Sequence, residues 1–212
     1  MRAIRLFVLG LGLSAMALAG CTIGGPGRLS FNPPVRPLKK GQSELGVSGG
    51  AALPSGWAVA NLWFRYGLID RLALDISAFY MTFAVAGGNL ALRVTPYRGR
   101  IFSLEIVPGV GLGAQTHSSA GAFHISPNLA LVGSFAVGSH SIYLGLRSSW
   151  SLSPEGRFLN AAYHSAALGA VFTIARRYHI HLELLGSLLT ELFSGVSIFF
   201  AAPTVGFSVD FP

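Results

Sequence analysis

The 212 residues suit one domain or at most two, and with 51% of them apolar and only 11% charged the chain is very apolar for a soluble protein. Mean hydropathy is +0.57, yet no stretch beyond Cys21 holds 18 uninterrupted apolar residues, which excludes a spanning helix. The net charge of +7 is not gathered on one face, which argues against a nucleic-acid partner.

The first twenty residues read as an export signal. Arg2 and Arg5 give the positive end, Leu6 to Leu18 the short apolar run, and Ala17 to Gly20 the small residues before a cleavage point. The sequence Leu18-Ala19-Gly20-Cys21 then resembles the lipobox of bacterial lipoproteins. That resemblance implies a Cys21 thiol carrying diacylglycerol, cleavage just before it, and an acylated new N-terminus. Thr22 stands where inner-membrane retention would favour an Asp. The resemblance therefore implies that lipoprotein-sorting machinery delivers the chain to the outer membrane of a diderm bacterium. An ordinary cleaved signal with an incidental cysteine is the alternative. Cys21 is the only cysteine, so the mature chain has no internal disulfide.

Loss of Arg2 and Arg5 takes 15 basic residues to 13, against 8 acidic, for a net charge of +5. Residues 21–41 form a basic tract whose Pro/Gly-rich part, Gly24 to Gly41, carries Arg28, Arg36, Lys39 and Lys40. It is expected to form neither helix nor strand and to act as a flexible tether near anionic headgroups, each basic residue adding about 1 kcal/mol of attraction.

Residues 42–212 are expected to form an all-β, antiparallel, up-and-down transmembrane barrel. Alternating segments recur at about 42–51, 57–66, 71–82, 87–97, 101–115, 123–137, 141–152, 161–174, 179–190 and 195–211. That makes ten strands, with eight as the fallback count. Each reaches the length of roughly 9–11 residues that a membrane strand needs. Connections near residues 67–70, 97–100, 138–140 and 175–178 are tight, while 115–122 and 153–160 are longer, as in barrels with short periplasmic turns and longer outer loops. With a lipid-anchored N-terminus in the periplasm, an even strand count returns the C-terminus there.

The pattern is clearest in residues 61–77. Leu62, Phe64 and Tyr66 share a face with Leu72, Leu74 and Ile76, while Asn61, Trp63, Arg65, Asp75 and Ser77 take the other. The ten residues from Arg65 to Leu74 resemble a turn common in outer-membrane barrels. Phe211 resembles the terminal aromatic that such barrels present to their assembly machinery, although Pro212 follows it. Pro203 is expected to mark a bulge.

The face opposite the Leu/Phe face carries the strand charges. Glu44, Arg65, Asp75, Arg93, Glu105, Arg147 and Glu183 alternate in sign, and Asp210 joins them. Lysine is missing from this face, and its other residues are largely Gly, Ala, Ser and Asn, as expected of a narrow lumen. Charges in such a place require partners. The expected arrangement is a charge ladder that closes the periplasmic half of the lumen, and the alternative is a narrow polar channel for small solutes.

An enzyme needs a constellation. His164 and Ser165 invite comparison with lipid A deacylases, which use His, Ser and Glu on a barrel exterior, but neighbours on a strand face opposite ways. Omptin-type proteases use Asp pairs at the outer rim, where this chain offers only Glu155 and Glu191. His117 and His124 flank one loop. His179, His181 and Glu183 spread along one strand face over roughly 13 Å, too far for one ion. No cofactor or metal is implied. The expected function is that of a non-enzymatic, lipid-anchored envelope protein whose partners are outer-membrane lipid and the barrel-assembly and lipoprotein-sorting machineries. An outer-membrane lipid-modifying enzyme is the second alternative.

Overall fold

A computed structural model describes residues 22–23, 30–53, 57–82, 85–115, 123–152, 158–159, 161–192, 195 and 197–212. The signal at 1–20, Cys21, Arg28, His117 and Glu155 lie outside the described residues. Among the described residues, ten strands build a barrel: β1 Ser43–Ala52, β2 Trp57–Ile69, β3 Leu72–Met81, β4 Val85–Arg98, β5 Phe102–Gln115, β6 Phe123–Val137, β7 His140–Ser151, β8 Ala161–Ala175, β9 Tyr178–Glu191 and β10 Ser197–Phe211. Each pairs antiparallel with the next, and β10 pairs with β1 to close the barrel. Closure leaves no open edge, as a sheet in hydrocarbon requires. Outside the barrel, Thr22–Ile23 pairs in parallel with Phe158–Leu159.

Alternation sets the two faces. Leu92, Val110, Leu131, Leu144, Leu184 and Phe207 point outward and are exposed, while Asn89, Ser126, Ser149 and Ser187 are buried inside. A large apolar exterior over a polar interior inverts the arrangement of a soluble domain and suits a lipid surround. Turns fall into two sets. One end has tight connections at 70–71, 99–101, 138–139 and 176–177, and the other has the longer connections, including 116–122 and 152–160. Gly138, with φ +63°, makes one of the tight turns without the steric cost that a Cβ would bring. By the habit of such barrels, the tight end is taken as periplasmic.

Two expectations are corrected. Pro203 makes no bulge: it sits outward, opposite Leu184 in unbroken register, and continues the alternation between Phe199 and Val205. What it does is interrupt the β1–β10 ladder between Thr204–Gly50 and Leu53–Ala201, because it has no N–H to donate. The register irregularities lie instead at Gly67/Ile69, Val94/Tyr97 and Thr173/Ala175, towards the periplasmic end.

The second correction concerns the tether. Residues 30–41 form no helix or strand, as expected, but they do not hang free. Gly41 N–H donates to the Gly67 carbonyl at 2.8 Å, and Lys40 N–H to the Asp70 carboxylate at 3.3 Å. Arg98 donates to the Pro37 carbonyl at 2.8 Å and Arg36 to the Gly138 carbonyl at 3.4 Å. The segment thus crosses the periplasmic mouth from turn to turn. It then enters the lumen, where Ser30, Phe31 and Asn32 are completely or almost completely buried. The apolar Phe31 ring and the polar lumen groups that meet this backbone explain why it folds inward rather than staying in solvent.

Candidate functional site

The site is the packed lumen, and its lower half is a chain of ion pairs. Glu44 of β1 faces Arg65 of β2 across the ladder, and Arg65 faces Asp75 of β3. Arg65 Nη1 lies 2.8 Å from Glu44 Oε2, and its Nε lies 3.0 Å from Asp75 Oδ2. Arg93 Nη1 reaches the same Asp75 oxygen at 3.0 Å and donates from Nη2 to Glu105 Oε2. Five residues on five consecutive strands therefore form one network. All five are nearly inaccessible, so each charge depends on its neighbours for solvation. Trp63 covers the network: its ring centroid lies 5.4 Å from the Arg65 guanidinium carbon and 5.4 Å from the His181 ring. His181 Nε2 meets Ser208 Oγ at 2.8 Å, with Glu44 at 3.7 Å.

Arg147 and Glu183 face the lumen but stand apart from this ladder, a second set with a different task. The Glu183 carboxylate accepts hydrogen bonds from Phe31 N–H at 2.9 Å, Asn32 N–H at 3.3 Å and Tyr143 Oη at 2.8 Å. Arg147 donates to the Ser30 carbonyl at 3.0 Å, and its guanidinium sits 4.1 Å from the centre of the Phe31 ring. Arg65 adds a 3.3 Å bond to the Phe31 carbonyl, tying the two sets together. The three groups clamp a short peptide by its backbone and one ring.

The clamped residues have matching local features. Asn32 has φ +34°, in the left-handed region that Asn tolerates better than most residues. Its Nδ2 donates to Ser30 Oγ at 2.6 Å and Ser48 Oγ at 2.9 Å. The Phe31 ring lies on Gly145, where an added Cβ would come within 2.5 Å of it. Between Phe31, Arg93, Val107, Asn128 and Arg147 there remains about 10 Å³, no more than one water occupies. The aromatic and amide of residues 31–32 therefore belong to the candidate site, and the sequence reading passed them over. The available signal was a lone Phe in a Pro/Gly tract together with inward glycines on the strands.

No protein-family model matches the sequence, and no curated protein matches it. Solved structures do. An outer-membrane channel from Pseudomonas putida F1 superposes with TM-score 0.57 over 86% of this chain and 100% of that one, at 11% identity. The fold is that of an outer-membrane β-barrel. The outer-membrane protease OmpT from Escherichia coli matches with TM-score 0.45 at 10% identity, over 87% of this chain and 99% of that one. A KdgM porin gives 0.43 at 13%, over 80% and 99%.

The remaining candidate groups of this barrel are dispersed. His164 faces outward and Ser165 inward, where Ser165 meets Ser187 Oγ at 2.7 Å, so the two form no dyad. His164 Nδ1 instead lies 3.0 Å from Ser148 Oγ on the neighbouring strand. That pair lines an outward groove of about 600 Å³ with Leu146, Trp150, Leu188 and Phe199. Glu191 is not a loop acid but ends β9, buried. His179 Nε2 meets Asp210 at 2.9 Å, and His124 is buried at the other end of the lumen. Among the described residues, no three His, Cys, Asp or Glu side chains are grouped to hold a metal.

Proposed function

We propose that this protein is a sealed, non-enzymatic outer-membrane barrel, anchored by lipid on Cys21 and serving a structural role in the envelope of a diderm bacterium. The observation that carries this reading is the clamp on Phe31 and Asn32. With the ladder below and the clamp above, side chains and a folded-in segment occupy the cross-section that a solute would use. The fold is shared with channels, and what separates this chain from an open pore is the content of its lumen. Purified protein in planar bilayers is expected to give no steady current. Steady open currents from the intact chain would replace this reading with the narrow channel.

The anchor has its own support in Leu18-Ala19-Gly20-Cys21 and in the solitude of Cys21. Cys21→Ala is expected to abolish globomycin-sensitive processing, and unchanged processing would remove the lipoprotein reading.

One observation favours a second reading, a lipid-modifying enzyme. Ser148 and His164 share a hydrogen bond within an apolar groove that faces lipid. A hydroxyl beside an imidazole is the start of a nucleophilic pair, although a third group that orients the base is part of the usual arrangement. Lipid A mass spectra from cells with and without the protein are expected to coincide. Loss of an acyl chain that depends on Ser148 would favour the enzyme.

A further inference from the structure

We infer that the N-terminal segment threads the barrel from its periplasmic mouth to its outer rim, placing Cys21 and its lipid at the outer leaflet and not, as expected from the sequence, on the periplasmic side. The leaflet assignment rests on the lipidation reading above; the threading does not.

The path follows from contacts taken in reverse chain order. Gly41 and Lys40 are fixed to the β2–β3 turn, Pro37 to Arg98 beside the β4–β5 turn, and Arg36 to the β6–β7 turn, all at the periplasmic end. Asn32 and Phe31 then meet Ser48 and Glu183 well inside the strands. Ser30 meets Arg147, seven residues along β7 from its periplasmic start at His140. Four residues beyond Arg147, β7 ends at Ser151, and Phe158–Leu159 lies in the connection that follows. Thr22–Ile23 pairs with Phe158–Leu159. From Gly41 back to Thr22, the contacts therefore advance from one end of the barrel to the other.

Covalent reach agrees with this path. Seven Cα steps join Ile23 to Ser30 and span about 24 Å at full extension. The stretch of β7 from Arg147 to its outer end needs only about 13 Å. Cys21 is bonded directly to Thr22, so a lipid on its thiol would be tethered at the end of the barrel where Thr22 pairs with Phe158. The space beside Phe31 and Arg147 is about 10 Å³, too small for an acyl chain, whereas acyl chains gain roughly 0.8 kcal/mol for each CH₂ buried in hydrocarbon. The hydrocarbon nearest to an exit at the outer rim is the outer leaflet.

A chain tagged with a short epitope directly after Ile23, expressed in a diderm host, tests this, with palmitate incorporation measured on the same cells. Antibody binding to intact cells, together with palmitate on the protein, is the expected result. Binding only after permeabilisation, with palmitate present, overturns the threading and leaves the anchor reading standing. A tag reached on intact cells without palmitate keeps the threading and overturns both the anchor and the leaflet assignment. Because a tag can disturb assembly, the untagged pair Ile23→Cys with Leu159→Cys gives an independent readout. Paired backbones sit within disulfide range, and oxidation of isolated outer membranes is expected to cross-link most of the protein. Failure to cross-link in a heat-modifiable, correctly folded barrel overturns the proposal.

Discussion

The Glu183 carboxylate accepts the Phe31 amide at 2.9 Å across 152 residues of sequence, joining the segment ahead of β1 to the ninth strand. A carboxylate that binds two backbone N–H groups and a tyrosine hydroxyl uses its charge as well as its lone pairs. Glu183→Gln keeps the shape and removes the charge. It is expected to lower stability by about 1.5–3 kcal/mol, the range for hydrogen bonds to charged groups, read from urea unfolding in detergent or lipid. It is also expected to produce brief openings in planar bilayers where the parent chain stays closed.

Gly145 and Phe31 fit each other. Gly145→Val would put side-chain carbon where the Phe31 ring lies, and overpacking of this kind costs about 1–3 kcal/mol. In the double variant with Phe31→Ala, the two losses are expected to be less than additive, because the second change makes room for the first. Additive losses in the unfolding midpoint would show that the ring does not occupy that space.

Arg65 holds two carboxylates. Arg65→Met would leave Glu44 and Asp75 without it, although Asp75 keeps Arg93. Removing one partner from a buried network is expected to cost about 3–5 kcal/mol. The triple variant Arg65→Met, Glu44→Gln and Asp75→Asn is expected to regain much of that loss, since neutral groups carry a smaller desolvation cost. The measurement is again the unfolding free energy, and a triple variant no better than the single one would count against the ladder.

Leu92 faces outward near the middle of β4, 41% exposed on the barrel exterior. Leu92→Arg is expected to destabilise the folded state in lipid by about 2–4 kcal/mol, as for cations at the bilayer midplane. In a soluble barrel the same exposed substitution would be nearly neutral. The comparison of lipid with the mildest detergent that keeps the fold reads this difference.

The strands were legible because each carries a one-residue alternation that lipid outside and packed polar groups inside both enforce. The ladder was legible for the same reason: Glu44, Arg65, Asp75, Arg93 and Glu105 sit at matching parity on consecutive strands. Arg147 and Glu183 share that parity, but parity gives a face and not a partner. Apart from Tyr143 on β7, the partners described for them lie in residues 30–32, which have no periodicity, and Pro/Gly composition describes a segment's freedom in isolation rather than where it docks. Pro203 misled for a related reason. It lacks a donor where the β1–β10 ladder needs one, yet its outward position is allowed because the pleat itself is undisturbed.

The sign order along the five strands also bears on how the barrel reaches its final strand order. Negative and positive groups alternate from β1 to β5, and in the closed barrel every neighbour is of opposite sign. An assembly error that skips one strand in this half would set Arg65 against Arg93, or Asp75 against Glu44 or Glu105. Like charges facing one another in a water-poor interior are strongly unfavourable. The ladder thus acts as a parity code, in which a misordered barrel carries its own penalty.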